Sequence, residues 1–180
     1  MPLDRKNIVA AGLRVLEEGG LDGLTVRRIA DELGVQAPAL YWHVGSRGEL
    51  LGLMAEELLR QVLDSLDPEA IGGAFLLQFA RAIARQQAER RDVARLIASC
   101  GPTESGYLQV RTRIHARLEA GGVADPSGAL MAVFAFTLGW SLFAANPAMK
   151  AHLASAMSPE RTFEAGLKAI VAGFGCDPAG

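Results

Sequence analysis

Apolar residues recur along this chain at helical spacing, and no stretch alternates strictly enough to argue for a sheet. Ile8, Ala11, Gly12, Val15 and Leu16 form one face of a first helix. Asp4 stands as its cap, Leu3 and Ile8 as a hydrophobic staple, and Gly19-Gly20 as its stop near Glu18. Ser46-Arg47-Gly48-Glu49 has the form of a capping box. It opens a long helix with Leu50, Leu51, Met54, Leu58 and Val62 along one side, ending near Asp67-Pro68. Pro68 and Gly72-Gly73 then introduce a stripe of Phe75, Leu76, Phe79, Ile83 and Ala84, running to about Arg90. Asp92 is placed to cap a short helix carrying Val93, Leu96 and Ile97, with Gly101-Pro102 as its stop. A helix over 103–120 follows, ending at Gly121-Gly122. Asp125-Pro126 opens a very apolar helix to Ala145, which Asn146-Pro147 breaks. Ser158-Pro159 repeats the cap-proline start for a last helix to about Phe174. The predicted fold is all-α.

Between the first helix and the long one lies the densest local signal. Thr25 is a cap whose hydroxyl can accept from the free amides of a following turn, and Leu24 with Ile29 can staple that turn. Ile29, Ala30 and Leu33 make a short apolar stripe, and Gly34 supplies the left-handed residue that ends it. Val35 points inward. Pro38 fits the first turn of a second short helix anchored by Leu40 and Val44. Ala37, Ala39, Tyr41, Trp42 and His43 are left on its other faces. Two short helices around a glycine occur in many bundles, but this pair has the form of a helix-turn-helix, whose second helix enters the DNA major groove. Two aromatics beside a histidine on the outside of so short a helix are hard to explain as packing.

Charge qualifies this. The chain has 180 residues and a net charge of −2, and residues 1–50 hold six Lys/Arg against seven Asp/Glu. That is not the balance of a general nucleic-acid binder. Arg27, Arg28 and Arg47 bracket the second short helix, while Glu17, Glu18 and Asp22 precede it. The expectation is modest non-specific affinity and few phosphate contacts. The N-terminus has no signal-peptide layout, so a cytoplasmic location is expected. Cys100 and Cys176 lie far apart and outside any metal-type cluster, and are read as reduced thiols. No nucleophile elbow, phosphate loop, metal set or paired carboxylates argues for an enzyme.

The residues Leu24 to Ala30, Leu33-Gly34-Val35, Pro38 to Val44, and Arg47 with Leu50-Leu51 resemble the tetracycline-repressor (TetR) family of bacterial transcriptional regulators. The Tyr41-Trp42-His43-Val44 string is most similar to the tetracycline-repressor subgroup. The resemblance covers roughly residues 5–65. Phe163 to Leu167 with Ile170 resembles the family's last helix more weakly.

This resemblance implies a helix-turn-helix domain over 1–45, a connecting helix over 46–67, and a helical ligand-binding and dimerisation domain over 68–180. It implies DNA contacts from Thr25, Arg27, Gln36, Ala37, Pro38, Ala39, Tyr41, Trp42, His43 and Arg47. Thr25 faces a phosphate, and Arg27 reaches a guanine edge or else a phosphate or solvent. Gln36, Ala37 and Ala39 meet base edges or thymine methyls. Tyr41 is a phosphate contact. His43 is either another or an exposed cap, and Trp42 divides between contact and packing. Arg47 stands where the family has a phosphate-binding lysine. Alanine at 37 and 39, where the subgroup carries longer polar residues, implies a different operator.

A small-molecule pocket is likewise implied. Its candidate walls are Phe75, Phe79, Ile83, Leu96, Ile97, Cys100, Tyr107, Phe134 and Leu138, each of which also reads as ordinary core. An apolar or aromatic effector fits this lining. No helical His/Glu set repeats a metal site, so neither metal nor cofactor is expected. His115, among Arg111, Arg113 and Arg117, reads as a surface residue. The charge-free run from Ala129 to Ala145 spans seventeen residues, the short end for a membrane helix, and lacks basic flanks. The resemblance pairs it, with the last helix and its small residues Ala165, Gly166, Ala169, Ala172 and Gly173, in a four-helix homodimer bundle. The chain is then expected to be a dimeric repressor of a pseudo-palindromic operator, or a DNA binder with no effector.

Overall fold

The computed structural model describes residues 3–100 and 106–175, the side chains of 106–108 excepted. Among the described residues there are ten helices and no strands. They are α1 (Arg5–Gly23), α2 (Val26–Leu33), α3 (Ala37–Val44), α4 (Arg47–Asp64), α5 (Gly72–Glu89), α6 (Val93–Ser99), α7 (Gly106–Ala120), α8 (Pro126–Ala145), α9 (Pro147–Ala156) and α10 (Pro159–Gly173).

Most of the capping chemistry is in place. Asp4 accepts from the Asn7 amide at 2.8 Å, and Asp125 from the Gly128 amide at 2.8 Å. Ser46 accepts from Glu49 N–H at 3.0 Å, but the capping box is only half formed, because the Glu49 carboxylate turns to Arg5 at 3.4 Å. The double glycine does not stop α1. Gly20 adopts φ 67°, ψ −177° and kinks the helix, which resumes for one turn to Gly23.

Asp92 does not cap α6. It sits at φ 56°, the one non-glycine residue with positive φ among those described, and makes no cap hydrogen bond. Its carboxylate instead accepts the Leu21 amide of α1 at 2.9 Å. Ser158, although it precedes a proline, makes no side-chain cap bond either.

Asn146-Pro147 does end α8, but it also starts α9. The Asn146 side chain accepts from Ala148 at 3.0 Å and Met149 at 3.3 Å, with Pro147 in the first turn. α9 buries none of its residues, so this cap is its main local support. Asn146→Ala is expected to weaken α9 by about 1 kcal/mol. Amide exchange should quicken over 147–156 while the global denaturation midpoint stays in place.

Two apolar cores organise the molecule. The first joins Ile8, Leu16, Ile29, Leu40, Leu50, Met54 and Leu58 from α1–α4 with Val93, Leu96 and Ile97 of α6. The second joins Phe75, Phe79, Ile83, Ile114, Leu118, Val133, Leu167 and Val171 from α5, α7, α8 and α10. Phe134 packs against both. The turns before α5 and α8 cross closely: a Cβ on Gly121 would lie 2.1 Å from Gly72 Cα, so only glycine fits there.

α8 is covered on one side only. Ala129, Val133 and Thr137 are buried, whereas Met131 and Phe143 are more than half exposed. By length and composition it is apolar enough to cross a bilayer. Thr137 is satisfied within its own helix, donating to the Val133 and Phe134 carbonyls.

Candidate nucleic-acid interface

α2 and α3 are set by local chemistry. Thr25 Oγ1 accepts from the Arg28 amide at 3.2 Å, and Leu24 and Ile29 close beneath it in the first core. Gly34 takes φ 68°, ψ 30°, and its N–H bonds back into the last turn of α2. Val35 N–H reaches the Ala30 carbonyl at 3.0 Å. These bonds satisfy carbonyls the helix end leaves open and fix the angle at which α3 departs.

Leu40 and Val44 are wholly buried, so one face of α3 is pinned. Gln36 precedes α3 without making a side-chain cap bond, which leaves its amide exposed. Pro38 is exposed, and Ala37 and Ala39 are half-buried. Tyr41 is 45% exposed and Trp42 91% exposed. An indole that bare has no packing role within this chain. His43 is half-buried, and its carbonyl accepts Arg5 Nε at 2.7 Å. Gly45, at φ 58°, closes the helix end.

The charges sort themselves clearly. Glu17 pairs with Arg90, Glu18 with Arg28, Asp22 with Arg95, Glu32 with Arg14 and Glu49 with Arg5. Five of the seven acids in residues 1–50 are therefore neutralised locally, and a sixth, Asp4, caps α1. Arg28 is folded back, its guanidinium bonding the Gly23 carbonyl at 3.2 Å. Arg27 and Arg47 are exposed and have no ion-pair partner among the described residues. Thr25, Arg27, Gln36, Tyr41, Trp42 and, at the start of α4, Arg47 are all exposed, while of the acids in residues 1–50 only Asp31 has neither an ion pair nor a cap role among the described residues.

Sequence reading missed how this unit is tied to the rest. The kinked end of α1 and the start of α6 form a clasp. Arg90 Nε bonds Glu17 at 2.9 Å, Arg91 donates to the Glu18 carbonyl at 2.9 Å, and Asp92 accepts Leu21 N–H. Arg95 spans Asp22 at 3.0 Å and Asp92 at 3.2 Å. Its hydrogen bond holds the Asp22 carboxyl below the ordinary range. A Cβ on Gly20 would fall 2.5 Å from Asp92 Oδ2, so the kink needs glycine for space as well as for φ. These partners lie about seventy residues apart, and only the unusual Gly19-Gly20 pair hinted at a contact.

The candidate ligand walls lie deep. Phe75, Phe79, Ile83 and Leu96 are at most 1% exposed, and Ile97 is buried. Cys100, Phe134 and Leu138 are half-buried at the first core's edge. Burial pushes the Cys100 thiol upward in pKa, which disfavours a reactive thiolate. The side chain of Tyr107, and Cys176, lie outside the described residues. None of the described walls lines either of two cavities in the molecule. One, of about 350 Å³, lies between α1, α4 and α7; the other, of about 710 Å³, lies between α5, α8, α9 and α10. His115 is half-buried, with Nε2 3.4 Å from Ser127 Oγ. No cluster of three or more His, Cys, Asp or Glu suited to a metal occurs among the described residues.

Residues 8–54 match the model of the family described as bacterial regulatory proteins, tetR family. The chain is 32% identical over 201 residues to the class C tetracycline repressor protein of Escherichia coli, covering 96% of this chain and 90% of that one. Its match to the class D and class H repressors is 36% identical but spans 64% of their length. Among solved structures it is similar to TetR-Q116A from Acinetobacter baumannii AYE in complex with minocycline: 32% identity, TM-score 0.77, 97% of each chain covered. It is also similar to BioQ with its double-stranded DNA operator: 29% identity, TM-score 0.72, covering 99% of this chain and all of that one.

Proposed function

Because this chain belongs to the TetR family of transcriptional regulators, we propose that it is a homodimeric repressor whose α3 helices read a pseudo-palindromic operator. The observation that carries this is α3 itself: an anchored helix holding Tyr41 and Trp42 in solvent, with Gln36 exposed just before it and two flanking arginines unpaired among the described residues. Residues 1–45 form the reading domain, 46–67 the connecting helix, and 68–180 the part that dimerises and takes an effector. The protein works in the cytoplasm, binds without catalysing, and needs neither metal nor cofactor.

The contacts follow from side-chain chemistry. Thr25, Tyr41, His43 and Arg47 position the protein on phosphates. Gln36, Ala37, Pro38 and Ala39 meet base edges and thymine methyls, with Trp42 beside them. Arg27 reads one guanine. Tyr41→Ala is expected to weaken binding about tenfold on every sequence, whereas Arg27→Ala loses about as much only where that guanine is present. Competition titrations on single-base operator variants check this, and a uniform loss for Arg27→Ala would make it a phosphate contact.

Dimerisation uses a surface the protomer leaves bare. Met131, Ala135, Gly139 and Phe143 recur at four-residue spacing on α8, and Ala165, Ala169, Ala172 and Gly173 are exposed on α10. Gly166 has a separate duty, since a Cβ there would come 2.8 Å from Phe136 of the same chain. A two-fold axis through these helices sets two reading heads about 34–36 Å apart, one turn of duplex.

An apolar or aromatic effector prefers a second conformation in which the walls from Phe75 to Leu138, Tyr107 included, part. It releases DNA only to the extent of that preference. The close burial of Phe75, Phe79, Ile83, Leu96 and Ile97 favours one alternative, an operator binder with no effector, which operator binding indifferent to a broad compound panel would establish. The deciding test of the main reading is selection of bound duplex from a random pool at moderate salt. A pseudo-palindrome with half-sites one turn apart is expected. No enrichment by folded protein would sink the reading.

A further inference from the structure

We infer that the 710 Å³ cavity between α5, α8, α9 and α10 is a second small-molecule site, taking a planar aromatic compound with a lactam or carboxamide edge. The inference goes beyond the operator reading and does not depend on it. Gln87 lies on the wall of this cavity and is 7% exposed, yet neither Nε2 nor Oε1 has a hydrogen-bond partner. Buried amides are almost always paired, because leaving both ends dry is costly. A glutamine amide presents one donor and one acceptor side by side. Its complement is a group with the same pair reversed, as in a cis-lactam, a primary amide or a carboxylic acid.

The remaining walls fit the flat part of such a molecule. Trp140 and Phe163 line the cavity and stand 5.7 Å apart between ring centroids, backed by Phe136. Ala84, Ala88 and Ala144 are small enough to leave room for a ring system. Arg81 fixes the width by bonding Glu164 with both Nε and Nη2, at 2.9 and 2.6 Å, which ties α5 to α10. Lys150 and Leu153 bring α9 to the mouth. Because α9 buries none of its residues, it can shift to admit a guest without breaking a core. The volume falls within the range of about 300–1,000 Å³ usual for small-molecule sites. The small exposed residues of α10 lie away from Phe163 and Glu164, so the proposed dimer face and the cavity use different sides of that helix.

The test uses phenanthridin-6-one as the lactam and its N-methyl derivative, which lacks the donor. Trp42→Phe leaves Trp140 as the sole tryptophan, and its emission is titrated in full-length protein without DNA. Saturable quenching is expected, with affinity for the lactam falling about tenfold in Gln87→Leu while the N-methyl compound binds both proteins alike. Ala88→Phe, which fills the cavity from its exposed edge, should abolish binding of both compounds and provides the test should Gln87→Leu fail to fold. Absence of saturable quenching, equal lactam affinity in Gln87→Leu, or undiminished binding in Ala88→Phe would overturn the site. As no DNA is present, these results stand apart from those of the operator selection.

Discussion

Met131→Asp should yield a folded monomer that has lost operator binding by a hundredfold or more. The residue is 55% exposed in the protomer, so an aspartate there meets water and leaves both cores untouched. Across the proposed two-fold axis the same carboxylate would be buried against its own copy. Desolvating an unpaired charge costs several kcal/mol, and about 2.7 kcal/mol already corresponds to a hundredfold. Half an operator is all a monomer can grip, so the loss appears in DNA affinity although no DNA-contacting residue has changed. Sedimentation equilibrium should give half the native mass and circular dichroism an unchanged helical spectrum. A variant that keeps the native mass and full operator affinity would refute the α8–α10 interface.

The second large effect is expected at Asp92. Asp92→Ala removes the acceptor of the Leu21 amide and one of the two carboxylates that hold Arg95, and it leaves alanine at φ 56°. Losing a charged acceptor from a part-buried amide costs about 1–3 kcal/mol, and left-handed backbone without a compensating bond about 1 more. We expect a loss of about 2–3 kcal/mol in urea denaturation. Asp92→Asn keeps an oxygen for Leu21 and a side chain tolerant of this backbone, and should recover most of it. The ion pairs around it lie towards solvent, where water and salt screen them, so they contribute little beside the Leu21 bond. Equal stability of the Ala and Asn variants would mean that the Leu21 bond does not hold the clasp. Operator affinity should fall with stability in Asp92→Ala, because the kinked turn of α1 leads directly into the cap of α2.

The sequence disclosed the parts of this molecule governed by near neighbours. Thr25, Gly34 and Pro38 mark α2 and α3 because a cap, a left-handed stop and a first-turn proline act within a few residues. The same logic misled at Asn146-Pro147, where one dipeptide both ends α8 and starts α9, and only the ending was read. At Asp92 the local signal was overridden by a long-range partner, the Leu21 amide, which no spacing rule reveals. Charge counting was also blind to pairing. Glu17 and Asp22 oppose DNA in a sum over residues 1–50, but Arg90 at the end of α5 and Arg95 of α6 occupy them. Trp42 was read from sequence as part contact and part packing, and only its exposure shows that it does not pack within this chain. Gln87, inside an otherwise unremarkable helical stripe, gave no sign until its unpaired amide could be seen against a cavity wall.

The placement of α6 bears on any attempt to transplant the DNA-reading head. Val93, Leu96 and Ile97 complete the core beneath α1 and α4, so a fragment cut after the connecting helix would carry away an uncovered oily floor. Such a graft should aggregate on its own, and a chimera joined there would inherit whatever fit the host's α6 happens to offer. A hybrid that keeps residues 1–67 together with the 90–99 segment moves the reading head with its own floor. If α3 reads the operator as proposed, specificity is expected to transfer as a discontinuous unit, with a splice on each side of α5.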